Sequence, residues 1–596
     1  MRPDRRTPLL LLLLSFAATL LLSGCGNRDE KAEVLEIFHT SDYHGNILSE
    51  DLIDGGGAIG GLSKAASIVS SYRKAGALVL LLDGGDLLQG EPPVYYYNYA
   101  DTLSKHLAAQ ALNFLGYDAM TMGNHDFETG HAVYDRFARE VSFPLLAANA
   151  VRDTLTLAPY FKPYSIFRKG NKKIAVLGLT TPSLTDNLPP FLISGIRFED
   201  QIATARRYLP EILEQKPDLL VALIHSGSGN PDERADSLAA NVGYDLARAL
   251  PEIDLILSGH DHRPNLDSIP RADGTYTYLL NPGGGGRLLS HATVTFGAGG
   301  DSTLITIRPE LLYLKNYTPD PAFVQNFAPQ LNAVRQYVSE PVGRLTASLD
   351  SRSALFRPNA FIDLIHLAQF AVFPEADVSI TAPLSDDVRV PQGPVLRKDL
   401  FKLYSYENML YLMRLRGSEL KNYLEEVSAR YFHTITSARD PLLLIDEDQA
   451  GGPYLPLREP IFNYDTAAGI SYVMDLSKPR GKRILISGLL KKDTVLPFSP
   501  DSDYLVVLNS YRGSGGGGLL TGKRAAGIPR DSLPARIVKA EYRDMRQLLG
   551  EYLSAHNPYE PRLISSWKLA PEVWTREAVR RDSIALFGSK TKPAVK

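Results

Sequence analysis

From Val34 onward, short apolar runs end in polar clusters and are followed by helix-like segments, and this cycle repeats. Val34 to Phe38 leads to Asp42-Tyr43-His44, and Leu78 to Leu82 to Asp83-Gly84-Gly85-Asp86. Ala119 to Met122 leads to Gly123-Asn124-His125-Asp126. Leu219 to Ile224 ends at His225, and Leu255 to Leu257 at Gly259-His260-Asp261-His262. Continuous apolar runs of this length predict strands buried on both faces. Pro144 to Ala148 and Ile174 to Leu179 read the same way, and Leu62 to Arg73 and Ser104 to Leu115 read as helices. In open α/β sheets, ligands sit outside the carboxyl ends of the strands, where all five polar clusters fall.

A glycine run from Gly283, then Ala292 to Phe296 and Leu304 to Ile307, predicts a closing hairpin. Phe323, Phe327, Leu331, Val334 and Val338 recur at helical spacing, so Pro321 to Val338 reads as a single helix connecting two domains. Beyond Pro341 the pattern is mixed. Phe361 to Val372 and Gly417 to Tyr431 are expected helices, and Val378 to Thr381, Leu410 to Leu415 and Tyr504 to Leu508 expected strands. The expected layout is 34–316 for the first domain, 317–340 for the linker helix and 341–557 for the second domain. Residues 558–596 read as a C-terminal tail, partly helical over Pro571 to Leu586.

The first 25 residues stand apart from this pattern. Arg2, Arg5 and Arg6 precede an apolar stretch from Leu9 to Leu22, which is shorter than the roughly 20 residues needed to span a bilayer. It closes on Leu22-Ser23-Gly24-Cys25, similar to the lipobox at which bacterial lipoproteins are cleaved and acylated. The expectation is an exported, membrane-anchored lipoprotein facing the periplasm or cell exterior, acylated at Cys25, with residues 26–33 as a polar tether. Cys25 is the only cysteine, which excludes an intrachain disulfide.

With 596 residues, 44% hydrophobic content and a net charge of −3, the remainder suits two soluble domains, and no basic excess points to a nucleic-acid polymer as partner. A small anionic substrate would need a local site. The strand-end clusters supply the residue types for one: hydrolysing a phosphate ester requires an activated water and neutralisation of charge at phosphorus, and paired divalent cations provide both. Holding such a pair takes a carboxylate able to bridge and several N/O ligands. A His/Asp/Asn set without thiolate suits Zn, Mn, Fe or Co.

Together the clusters spell D-x-H, G-D, G-N-H-[DE], a lone His and G-H-x-H, in order, which resembles the calcineurin-like metallophosphoesterases. The resemblance implies an α/β fold: an N-terminal α/β-sandwich metallophosphoesterase domain joined by a helix to a mixed α/β C-terminal nucleotide-binding domain. It implies that Asp42, His44 and His262 hold one metal, that Asn124, His225 and His260 hold another, and that Asp86 bridges them. His125 would then act as the acid or electrophile near the leaving oxygen. Glu128, three positions on, would orient it, with Asp126 a further candidate.

The second half is similar to bacterial 5′-nucleotidases and, more closely, to 2′,3′-cyclic-nucleotide 2′-phosphodiesterase/3′-nucleotidases. Leu403-Tyr404-Ser405-Tyr406-Glu407-Asn408 resembles the L-Y-x-Y-E-N motif of that branch. Phe462-Asn463-Tyr464-Asp465 resembles Y-N-F-D with its aromatics exchanged, and Asn509-Ser510-Tyr511-Arg512 to Gly516 resembles N-N-Y-R-A-S-G-G. The 5′-nucleotidase motif N-G-G-x-R is missing from Thr381 to Asp387, and its G-G-D-G-F loop is altered to Gly515-Gly516-Gly517-Gly518-Leu519. A nucleoside base needs flat faces on both sides; Phe462 and Tyr511 are the expected clamp, with Tyr464 as substitute for Phe462. The implied activity is hydrolysis of 2′,3′-cyclic nucleotides to 3′-nucleotides and then of the 3′-phosphate. The alternatives are a 5′-nucleotidase or UDP-sugar hydrolase, or a surface nucleotide-binding protein without catalysis.

Overall fold

The computed structural model describes residues 33–152, 158–233, 239–297, 305–446, 457–491 and 494–588, so Cys25 and the N-terminal apolar run lie outside it. Two six-stranded sheets form the first domain. One runs in the order Ile305–Tyr313, Leu288–Phe296, Glu33–Thr40, Leu78–Asp83, Ala119–Thr121, Leu145–Leu146. The other runs Asn265–Pro270, Tyr276–Asn281, Leu255–Ser258, Leu219–His225, Lys172–Thr180, Tyr164–Lys169. Their facing sides share one core, in which Leu35, Ile37, Leu80 and Leu82 meet Val176, Val221, Leu223 and Leu257.

Helices cover both outer faces. Leu62–Lys74, Leu107–Leu115 and His131–Glu140 pack on the first sheet, and Gln201–Glu214 and Gly243–Ala249 on the second. Covering both faces explains the unbroken apolar runs: Leu219–His225 is buried at every position. The helix expected from Ser104 starts at Leu107, because the side chain of His106 accepts the Ala108 N–H and caps it there. The connecting helix, Pro321–Ser339, buries its apolar stripe in the first domain's core.

The second domain has a five-stranded sheet, Thr466–Ala468, Val378–Thr381, Asp503–Asn509, Leu410–Arg416, Ile537–Glu541. It also has a four-stranded sheet, Thr494–Leu496, Ile484–Lys491, Ile470–Asp475, Ser566–Ala570. The last of these strands corrects the expected tail. Ser566–Ala570 pairs in parallel with Ile470–Asp475, and the helix Glu572–Phe587 buries Ala578, Leu586 and Phe587 in the domain core. Among the described residues no helix is long and apolar enough to cross a membrane.

Candidate functional site

Parallel strands Glu33–Thr40, Leu78–Asp83, Ala119–Thr121, Leu219–His225 and Leu255–Ser258 all end at one edge of the sandwich, so the five polar clusters meet there. The chain bends sharply as it leaves the strands. Asp42, His44, Asp86, His260 and His262 all take positive φ, between 48° and 74°, in a region that non-glycine residues occupy uncommonly. Backbone bonds hold these bends: Asp42 N–H donates to the Gly85 carbonyl and His44 N–H to the Asp86 carbonyl, each at 2.9 Å. Gly123 lets the loops close on one another, since a Cβ there would lie 2.1 Å from Asp86 Oδ1.

Two groups of potential ligands result, Asp42, His44, Asp86 and His262 in one and Asp86, His225 and His260 in the other, and Asp86 belongs to both. His44 donates from Nδ1 to the Gln89 carbonyl at 3.1 Å, which turns Nε2 toward the cleft. That Nε2 lies 3.0 Å from His262 Nε2 and 4.0 Å from Asp86 Oδ2, and His262 Nε2 lies 3.4 Å from Asp42 Oδ1. His225 donates from Nδ1 to the Gly84 carbonyl at 2.7 Å, so its Nε2 faces Asp86 Oδ2 at 3.1 Å. Asn124 Oδ1 sits 3.1 Å from His225 Nε2 and 2.7 Å from His260 Nδ1.

This arrangement fits a pair of divalent cations. Asp86 Oδ2 is buried and, among the described residues, has no hydrogen-bond partner, although such an atom is costly to leave unpaired. Ring nitrogens whose protons are fixed on the far side converge on it, and the donor set is imidazole, carboxylate and amide throughout. Burial lowers His44 and His260 to about 4, keeping both rings neutral and able to act as ligands. At His225 burial again opposes charge, but the adjoining Asp86 carboxylate prevails and holds it up at about 10, so a cation binding beside Asp86 would displace the Nε2 proton. Asp86 itself stays well below the usual carboxylate range, because the neighbouring histidines outweigh its burial.

His125 is the second residue of the short helix Asn124–Glu128. Its N–H donates to Asp86 Oδ1 at 2.8 Å, and its Nδ1 pairs with Glu128 Oε2 at 2.5 Å, leaving Nε2 for the cleft. Burial works against a charged His125, yet Asp86 and then Glu128 raise it to about 9, which suits a proton donor. Asp126 is a correction. Its carboxylate accepts the N–H groups of Asp86, Leu87, Leu88 and Gly123 at 2.8–2.9 Å, so it shapes the loop carrying Asp86 and does not face the reacting groups.

In the second domain Phe462 and Tyr511 are both partly exposed. Tyr464 is a second correction: it is fully buried, donates to the Leu355 carbonyl at 3.0 Å and packs edge-on against Tyr431. Sequence reading assigned no role to Tyr406, although its motif was in view. Its ring meets Phe462 edge-on at 5.7 Å, and burial, then nearby Tyr511 and Glu128, push its hydroxyl up to about 12. Tyr406 thus contacts Phe462 directly and feels the charge of Glu128, the partner of His125. Arg512 also went unassigned. Its guanidinium pairs with buried Asp465 at 2.7 Å and donates to the carbonyls of Phe462 and Gly516 at 2.7 and 3.2 Å, tying both pocket loops together.

Comparison with known proteins gives this geometry a family. The calcineurin-like phosphoesterase sequence model matches residues 35–264, and the 5′-nucleotidase C-terminal domain model matches residues 341–523. The chain is 28% identical to a trifunctional nucleotide phosphoesterase protein, YfkN, of Bacillus subtilis; the match covers 90% of this chain but only 39% of that longer protein. It is also 28% identical to a Haemophilus influenzae 2′,3′-cyclic-nucleotide 2′-phosphodiesterase/3′-nucleotidase, over 94% of this chain and 91% of the relative. A Staphylococcus aureus chain crystallised with alpha-ketoglutarate shares the fold with a TM-score of 0.74 at 22% identity, over 90% of this chain and all of the other. The chain therefore carries a calcineurin-like phosphoesterase domain over residues 35–264 and a 5′-nucleotidase C-terminal domain over residues 341–523.

Proposed function

We propose that this metal-dependent phosphoester hydrolase acts outside the cytoplasm on nucleotides, opening 2′,3′-cyclic nucleotides to 3′-nucleotides and then removing the 3′-phosphate. One observation carries the reading: the Tyr406 ring meets the partly exposed Phe462 at 5.7 Å while its hydroxyl feels both Tyr511 and Glu128, so a base held between Phe462 and Tyr511 would direct its ribose phosphate toward Asp86. Two cations held by the Asp42–His262 and Asn124–His260 groups would neutralise the phosphoryl oxygens and supply an activated water.

The chain's own residues account for the remaining steps. Asp86 lies between the two ligand groups and positions His125 through its N–H. Glu128 accepts from His125 Nδ1 and, with Asp86, favours the imidazolium, whose second proton sits on Nε2 and faces the cleft. When water adds to phosphorus and the bond to the 2′-oxygen breaks, His125 delivers that proton to the leaving oxygen; in the second hydrolysis it serves the 3′-oxygen in the same way. The missing N-G-G-x-R motif at Thr381 to Asp387 also favours the cyclic substrate over a 5′-nucleotide. The relatives named above are consistent with nucleotides as the substrate class. Cys25, within its lipobox-like sequence, would carry the acyl chains that anchor the enzyme.

Protein lacking its first 25 residues, supplied with Mn²⁺, Zn²⁺ or Co²⁺, is expected to show its highest kcat/KM on 2′,3′-cAMP, with 3′-AMP next. A preference for 5′-AMP would overturn the substrate assignment, and inactivity on all three with each metal would overturn the reaction. Labelled palmitate should enter the full chain expressed in a bacterial host, but not its Cys25→Ala variant; equal labelling of both would remove the anchor.

A further inference from the structure

One residue of the metal cleft is held by a strap that the second domain grips. Gln89-Gly90-Glu91 wraps His44: the Gln89 carbonyl accepts from His44 Nδ1 at 3.1 Å, and Glu91 N–H donates to the His44 carbonyl at 2.8 Å. Gly90, at φ +131°, lies so close that a Cβ would sit 2.6 Å from the His44 carbonyl oxygen. The strap therefore sets both the orientation of the His44 ring and the nitrogen that carries its proton.

Gly90 N–H donates across the domain boundary to Glu407 Oε1 at 3.2 Å, and Glu407 Oε2 accepts from the Tyr99 hydroxyl at 2.8 Å. Arg546 stands 3.3 Å from Glu407 Oε1, and its Nε donates to the Tyr404 carbonyl at 2.9 Å, so the carboxylate is fixed within its own domain. The two side chains are 1% and 2% exposed. Burying such a pair is expensive, and apolar residues would join the domains at lower cost, so its position directly on the strap calls for a role beyond adhesion. Glu407 also follows Tyr406, and one loop thus reaches the aromatic pocket and the metal cleft together.

We propose that Glu407 is a positioning residue: acting through Gly90 and Gln89, it orients His44, so that metal affinity of the subsite formed by Asp42, His44, Asp86 and His262 depends on docking of the second domain. The inference rests on the two-metal reading above. By linkage, an ion in that subsite favours the docked arrangement to the same degree.

The test is Mn²⁺ titration calorimetry with elemental analysis of the chain lacking its first 25 residues. Unaltered protein is expected to bind two ions. Glu407→Ala should weaken one of them by about tenfold, the effect of losing a residue that orients a metal ligand, and leave the other unchanged. Glu407→Gln keeps an oxygen facing Gly90 and should recover most of the loss. The double variant Glu407→Leu/Arg546→Met removes both charges at similar volume and should show the same selective weakening should the alanine variant lose its fold. Two unchanged affinities in a folded variant lacking the carboxylate would overturn the proposal, as would equal weakening of both. Fewer than two ions on the unaltered protein would overturn the two-metal reading instead.

Discussion

The metal cleft and the aromatic pocket are both assembled from distant parts of the chain, but they differ in what their residues can mean. A single histidine, aspartate or asparagine at a strand end is often structural, as Asp126 is, but seven of them in one ordered pattern point to ligands. Phenylalanine and tyrosine serve a core and a base-binding pocket equally well. Phe462 and Tyr464 stand two positions apart in one motif; the first is partly exposed and available to a ligand, while the second is entirely buried. Chemical type identifies the cleft, and only packing identifies the pocket.

The most severe way to break this contrast is at the shared carboxylate. Asp86→Asn keeps the shape and the acceptor for His125 N–H but weakens the bridge, and should lower kcat at least about 100-fold on a nucleotide and on a small aryl phosphate alike. Unfolding midpoints measured in parallel should show the fold retained. Removing metal with a chelator should likewise abolish hydrolysis of both substrates, with recovery on adding Mn²⁺ or Co²⁺; activity that survives chelation would merge the cleft with ordinary polar surface.

The pocket should respond differently. Stacking of a base on an aromatic ring is worth roughly 1–3 kcal/mol, so Phe462→Ala or Tyr511→Ala should raise KM for nucleotides about 5- to 150-fold. Steady-state kinetics on a small aryl phosphate should stay close to the original, because that substrate has no base to hold. Equal losses on both substrates would contradict the division of labour between the two regions.

A finer comparison lies inside the cleft, between Glu128 and Asp126. Glu128→Gln should reduce kcat by about tenfold without moving the unfolding midpoint, since it alters only the partner of His125. Asp126→Ala strips four backbone N–H groups of their acceptor and should lower the unfolding midpoint clearly, because unpaired buried donors are costly. The smallest effect is expected at Tyr464→Phe, which loses one hydrogen bond to the Leu355 carbonyl and should cost about 1 kcal/mol of stability by denaturant titration while KM is preserved.

These contrasts also mark how far the sequence could be read. Strand positions and polar strand ends were legible because apolar runs covered on both faces leave an unmistakable pattern, and the structure gathers Asp42, His44, Asp86, Asn124, His225, His260 and His262 at one edge. Helical geometry could have separated Glu128 from Asp126: residues three apart share a face of Asn124–Glu128, whereas adjacent ones do not. Tyr406 and Arg512 were visible as motif letters, yet their work depends on contacts between loops that no local spacing encodes. The same reason hid the strand Ser566–Ala570, whose pairing partner Ile470–Asp475 lies far upstream.

The account's central claim is that two cations share Asp86. Anomalous diffraction from Mn²⁺-soaked crystals tests it most directly. Two peaks are predicted, each about 2.0–2.2 Å from an Asp86 oxygen, one completed by Asp42, His44 and His262 and the other by Asn124, His225 and His260. A single peak, or peaks that leave Asp86 outside coordination distance, would contradict it.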